Sequence, residues 1–128
     1  MEESRLAERC VFCQIIEGRS PASKVYEDEH VLALLDVNPV AEHHTLIIPK
    51  RHYRDLYEIP GEELSRLIVA AKKISMRYKT DYGIKGVNIL HASGVDAQQS
   101  IFHFHLHLIP RKKDDGLDHF IIPKEMII

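Results

Sequence analysis

The sequence predicts an α+β fold, and three observations predict it: short β-rich runs bounded by turn residues, one long amphipathic segment among them, and one run that alternates with period two. Lys24 to Asp28 and His30 to Asp36 are the first two β-rich runs. Asn38-Pro39 gives a turn signal before the third, Thr45 to Pro49, so the three predict an antiparallel meander. Pro60-Gly61 opens a segment with Leu64, Leu67, Ile68, Ala71, Ile74 and Tyr78 on one face and Gly83 just beyond its end. That pattern predicts an amphipathic helix of about five turns with those six residues in the core. Val87 to Leu90 predicts a fourth strand, Ser93-Gly94 a loop, and Phe102 to Ile109 a fifth strand. Beyond Arg111, Lys112-Lys113-Asp114-Asp115 cancel in charge, and the apolar Phe120-Ile121-Ile122 and Met126-Ile127-Ile128 are expected to pack on the core or on a partner.

Composition excludes several classes of function. The 128 residues suit one domain, spanning 1–128, with 1–9 as an N-terminal extension and 112–128 as a tail. Hydrophobic residues at 45% and charged residues at 28% set disorder aside. Seventeen Lys and Arg against nineteen Asp and Glu give a net charge of −2, so no general basic surface for nucleic acid is present. No apolar run approaches the length of a membrane span, and Met1 to Arg9 lacks the apolar core of a signal or anchor. A cytoplasmic protein with neither nucleic-acid nor membrane partners is expected. Cys10 and Cys13 are the only cysteines, and their C-x-x-C spacing in a reducing compartment points to metal ligands or redox thiols rather than a structural disulfide. No strand and Pro-containing turn flank them, so metal is favoured. The outlier is histidine, at nine residues.

Three of the nine lie in His103-Phe104-His105-Leu106-His107-Leu108-Ile109. Helical steps of about 100° would scatter them, whereas a strand places all three on one face and the apolar residues on the other. One ion shared by all three is disfavoured, because same-face neighbours on a strand lie roughly 6.6 Å apart while zinc sits about 2.0 Å from each nitrogen. Three aligned histidines therefore need different jobs. An H-x-H oxygenase site would also want a nearby carboxylate, and Pro110-Arg111 follows instead.

The pattern His-φ-His-φ-His-φ-φ, with φ apolar, resembles the histidine triad (HIT) superfamily of nucleotidyl hydrolases and transferases. The resemblance runs through Cys10-Val11-Phe12-Cys13, Val25-Tyr26-Glu27-Asp28, Leu35-Asp36-Val37-Asn38-Pro39, Leu46-Ile47-Ile48-Pro49-Lys50-Arg51-His52, Gln99-Ser100 and Pro110-Arg111, and it is strongest toward zinc-containing prokaryotic proteins near the Hint branch. It implies a twisted antiparallel sheet of about five strands with one long helix, a short N-terminal helix and a homodimer. By the same resemblance His105 is the nucleophile at the α-phosphorus of a nucleoside phosphate conjugate, purine by expectation, forming a nucleotidyl-histidine that water hydrolyses. His107, His44, Gln99 and Ser100 would meet the phosphoryl charge, with Ser100 on the leaving-group side. Asp36 would take the ribose hydroxyls, or end the strand as a turn residue. Val11, Phe12, Ile15, Leu34, Leu35 and Val37 would hold the base, or serve as ordinary core. Cys10, Cys13, His52 and His103 would be the ligands of a closed, structural zinc.

The resemblance implies a Hint-like phosphoramidase. A dinucleoside polyphosphate hydrolase of the Fhit type and a non-catalytic nucleotide-binding module are the alternatives. Three positions depart from the family. Gln98 stands where Gly is common and is expected to crowd the backbone's approach to phosphate or to force a different loop path, His43 also stands where Gly is common, and Ala92 replaces an Asn that contacts phosphate. His30, His43, His91 and His119 are expected to be surface or cap residues.

Overall fold

The structure is a computed structural model, and it describes residues 9–118. His119 and the apolar part of the tail, with its expected packing, lie outside the described residues, as do the first eight positions of the N-terminal extension. The elements run α1 (Val11–Ile16), β1 (Lys24–Glu27), β2 (Val31–Leu35), β3 (Thr45–Pro49), α2 (Gly61–Tyr82), β4 (Gly86–Leu90), a 3-10 turn at Val95–Ala97, and β5 (Leu106–Arg111). The five strands form one antiparallel sheet in the order β1-β2-β3-β5-β4. This is the α+β arrangement that the sequence predicts.

Helix α2 has local causes at both ends. Pro60 precedes it with a fixed φ of −64°, Glu62 and Glu63 sit in its positive first turn, and Lys79 sits in its last. Gly83 then takes φ 67°, and its N–H returns to the Lys79 carbonyl, stopping the helix where side chains with a Cβ are disfavoured. Leu67, Ala71, Ile74 and Tyr78 are buried as predicted, and Leu64 is partly so. Ile68 is not: it is 49% exposed, and Ala70 takes the buried place. The covered stripe is narrower than the apolar pattern.

Strands β2 and β3 are covered on both faces and, Thr45 apart, consist of apolar residues. In β2, Val31 and Ala33 face α2, while Leu32 and Leu34 pack with Phe12 and Ile15 of α1. In β3, Ile47 joins the α2 side, and Leu46 and Ile48 join the α1 side. Successive residues serve opposite layers, as the pleat dictates. The sheet thus separates a large core under α2 from a smaller one under α1.

The fifth strand begins later than predicted. It pairs with β3 from Leu106 to Leu108 and with β4 from His107 to Arg111, so Phe102 to His105 precede it outside the ladder. The cause is a competing bond: the Phe104 N–H donates to the Tyr53 carbonyl at 2.6 Å, drawing the chain off the line of β3. Facing nonetheless alternates through this segment. Phe104, Leu106 and Leu108 enter the α2 core, and the three histidines lie on the α1 side with Phe12.

Candidate functional site

The α1 layer holds two groups of chemistry-bearing side chains. The first gathers Cys10 and Cys13 from the start of α1, His52 from the loop after β3, and His103 from the segment before β5, with one donor atom of each within 4.8 Å of the others. His103 Nδ1 lies 3.3 Å from Cys10 Sγ, 3.6 Å from Cys13 Sγ and 3.1 Å from His52 Nδ1, and Cys13 Sγ lies 3.3 Å from His52 Nδ1. A tetrahedral ion at ordinary zinc distances separates its nitrogens by about 3.3 Å and nitrogen from sulfur by about 3.6 Å, so the donor set has the required dimensions.

The protons also fit. A carbonyl can only accept, so His103 Nε2, 2.9 Å from the Pro49 carbonyl, carries the proton and Nδ1 presents its lone pair to the cluster. Burial pushes His103 down to about 4 and so keeps it neutral. Burial, and then the neighbouring Cys10 thiol, push Cys13 up to about 12. A thiolate at Cys13 would therefore need a cation beside it.

The second group lies in a cleft of about 380 Å³ next to the first. Val11, Phe12, Ile15, Leu34, Leu35, Asp36, Val37, Ser100, His105 and His107 all line it, joined by Ser20, Pro21, Asn38, Leu46 and Ile101, which sequence reasoning missed. Alternation could have added Leu46, which shares its strand face with Ile48. Val37 is 88% exposed, so as ordinary core it would be misplaced.

Gln99 differs from its expected place. It is buried, with Oε1 accepting from the Gly94 N–H at 2.7 Å and Nε2 donating to the Arg54 and Ile101 carbonyls at 2.7 and 3.1 Å. Its amide is committed to bracing the loop and it does not line the cleft.

Each cleft histidine has a tautomer set by its partners. His105 Nδ1 is 2.8 Å from the His103 carbonyl, so Nδ1 carries the proton and Nε2 keeps a lone pair. His44 lies behind His107 rather than on the cleft wall. Its Nδ1 accepts from the Val40 N–H at 3.1 Å, which leaves its proton on Nε2, and Nε2 donates to His107 Nδ1 at 2.9 Å. His107 consequently holds its own proton on Nε2. Burial lowers all three histidines below the ordinary histidine value; His107 falls to about 4, aided by its neighbours His105 and His44, so the group is neutral near pH 7.

Asp36 fills the expected turn role with one carboxylate oxygen and turns the other toward the histidines. Oδ1 accepts from the Asn38 N–H at 2.9 Å, closing the turn after β2, while Oδ2 lies 3.4 Å from His44 Nε2 and 4.0 Å from His107 Nδ1. Asp36, His44 and His107 are close enough to suggest a second metal group. The His44 tautomer argues against it, because an ion on Nε2 while Nδ1 accepts from Val40 would require an imidazolate. The cleft is built to hold protons at defined atoms.

His91 is neither a surface nor a cap residue. It is partly buried, bonded at both nitrogens and stacked on Phe104. Gln98 does not divert its loop: it and His43 hold the left-handed backbone that glycine favours, at φ 69° and 64°. Among the described residues no helix is long and apolar enough to cross a membrane.

Comparison with known proteins agrees with this architecture. Residues 17–114 match the HIT domain family. "Protein hit" of Bacillus subtilis (strain 168) is 47% identical over 111 residues, covering 86% of this chain and 77% of that protein. "Adenylylsulfatase HINT3" of Arabidopsis thaliana is 44% identical over 117 residues, covering 91% of this chain and 59% of the relative. The crystal structure of a zinc-bound histidine triad family protein from Mycobacterium smegmatis superposes with a TM-score of 0.83 at 38% identity, covering 87% of this chain and 81% of that one. With the sheet, the alternating histidines and these relatives in agreement, the chain belongs to the HIT family.

Proposed function

We propose that the chain is a nucleotidyl hydrolase or transferase of the Hint type, a phosphoramidase acting at the α-phosphorus of purine nucleoside phosphate conjugates. One observation carries the reading: His105 lines the cleft with Nδ1–H tied to the His103 carbonyl and a free lone pair on Nε2. A neutral imidazole aimed in this way is a competent nucleophile near pH 7. The relative named adenylylsulfatase HINT3 supports an adenylyl conjugate as the substrate class.

In this reading His105 Nε2 attacks the α-phosphorus, forming a phosphorus–nitrogen bond as the bond to the leaving group breaks. Ser100, on the cleft wall, gives a proton to the departing atom and regains one from solvent. The His107 Nε2–H hydrogen-bonds a phosphoryl oxygen, and the His44 link at 2.9 Å keeps that proton in place. Asp36 accepts from the ribose, and Val11, Phe12, Ile15, Leu34, Leu35 and Val37 enclose the base. Water then attacks the nucleotidyl-histidine, releasing the nucleoside monophosphate, passing a proton to solvent and restoring His105. Gln99 supports this chemistry only by holding the loop that carries Ser100.

Cys10, Cys13, His52 and His103 would hold zinc, with the zinc-bound relative as support. Four protein ligands leave no open position, so the metal supplies folding energy rather than a reaction step. Thiolate ligands suit a reducing, cytoplasmic setting. A homodimer completes the proposal, and a sedimentation mass near twice 14.8 kDa is expected.

The deciding experiment follows adenylate release from an adenosine phosphoramidate and from a diadenosine polyphosphate by the natural protein and by His105→Ala. Turnover of the phosphoramidate, lowered in the variant by about a thousandfold or more, is expected. Preference for the dinucleotide would move the chain to the Fhit-type alternative. Equal, negligible release by both proteins would leave a nucleotide-binding module.

A further inference from the structure

Strand β4 ends at Leu90, opposite His107. Farther back along the β5 chain the His105 carbonyl needs a donor that the β4 backbone has stopped supplying. The side chain of the next residue, His91, takes over. Its Nδ1 lies 2.9 Å from the His105 carbonyl oxygen, and since that oxygen can only accept, Nδ1 carries the proton. Nε2 is then the acceptor, in a short hydrogen bond from the Ser93 hydroxyl. Ser93 Oγ in turn accepts from the Leu56 N–H at 2.8 Å, which leaves its own proton for His91. The imidazole also stacks on Phe104, with ring centroids 4.2 Å apart and planes inclined by 24°. Both nitrogens are thus committed and the ring does not line the cleft.

We propose that His91 is a positioning residue for the nucleophile: it holds the His105 peptide by its carbonyl, as the His103 carbonyl holds the His105 ring, and Ser93 fixes the tautomer that lets it do so. The inference rests on His105 being the nucleophile. The two bonds constrain different parts of one residue, the backbone from the β4 side and the side chain from the preceding turn. A nucleophile outside the strand ladder has no other regular pairing to define its height over the cleft. An error of about 1 Å in a reacting group can lower a rate about a hundredfold, so a device acting only on position has a measurable yield.

The test uses His91→Phe, which keeps a ring on Phe104 but has no donor, and His91→Asn, whose amide Nδ2 can occupy the place of the imidazole Nδ1. With the adenosine phosphoramidate, His91→Phe should lose about tenfold or more in kcat, while KM and the affinity for adenosine monophosphate stay within about twofold. His91→Asn should recover most of the loss, and Ser93→Ala should fall between. In NMR spectra without substrate, the His105 ring signals should be sharp in the natural protein and in His91→Asn, and exchange-broadened in His91→Phe. An unchanged kcat and an unchanged spectrum in His91→Phe would overturn the proposal, as would equal losses in the Phe and Asn variants or a loss of nucleotide affinity that parallels kcat. Failure of the underlying reading shows elsewhere, as His105→Ala turning over like the natural protein. The ring spectra judge the positioning role in either case.

Discussion

Three histidines with one spacing present three different ring atoms to their surroundings, and a single hydrogen-bond partner decides each. The Pro49 carbonyl accepts from His103 Nε2–H and leaves Nδ1 a lone pair, the His103 carbonyl accepts from His105 Nδ1–H and leaves Nε2 a lone pair, and His44 Nε2–H donates to His107 Nδ1 and leaves the His107 Nε2–H as a donor. The imidazole is the same in each; the partner sets the chemistry. Gln98 illustrates the opposite case, a residue that its backbone does not favour. It is exposed and holds φ 69° at the end of the 3-10 turn, where a Cβ costs about 1–2 kcal/mol and glycine loses part of that gain through its freer unfolded chain. Gln98→Gly should therefore stabilise the protein by roughly 0.5–1 kcal/mol. Thermal unfolding reads this as a Tm higher by a few degrees, and a lower Tm would contradict the strain. His43 shares the conformation but stacks on Tyr82 at 4.0 Å, so the same substitution there gives up a contact.

Among the elements, α1 depends most on its neighbours. Six residues are too few for a helix to persist alone, and its attachments are Phe12 and Ile15 in the smaller core together with the cysteines at its first turn. Cys10 Sγ also accepts from the Cys13 N–H at 3.4 Å, so the helix start and the cysteine–histidine cluster are one structure. Chelation of the proposed zinc should accelerate amide exchange across Val11–Ile16 while leaving the interior of α2 protected. Exchange that is the same with and without chelator would show that apolar packing alone fixes α1. The short β5 belongs at this scale too. Its periodicity identified the faces of His103 to Ile109 correctly, because alternation survives in any extended chain. It misjudged where pairing starts, because that depends on the Tyr53 carbonyl, far away in sequence.

At the scale of the molecule the sheet is a partition. Leu67 of α2, fully buried, packs in the core on the face opposite the cleft, whereas Phe12 packs edge-on to both His103 and His105 at 5.6 and 5.4 Å. Leu67→Ala should cost about 2–5 kcal/mol in denaturant unfolding and leave kcat of the folded protein unchanged. A proportionate loss of kcat would mean that the two layers are coupled through the sheet.

The sequence by itself determined the α+β class, the extent of α2, the facing of the histidines and the pairing of Cys10 with Cys13. Each of these depends on neighbours within a turn or two of chain. Tertiary structure decided what came from farther away. Cys10 meets His103 across 93 positions, His52 meets His103 across 51, and His44 meets His107 across 63. It also moved Gln99 out of the cleft and brought His91 to the nucleophile's carbonyl. Hydrogen bonds act over about 3 Å, and which carbonyl arrives within that distance of a ring nitrogen is fixed by how the chain closes on itself, which local periodicity does not encode.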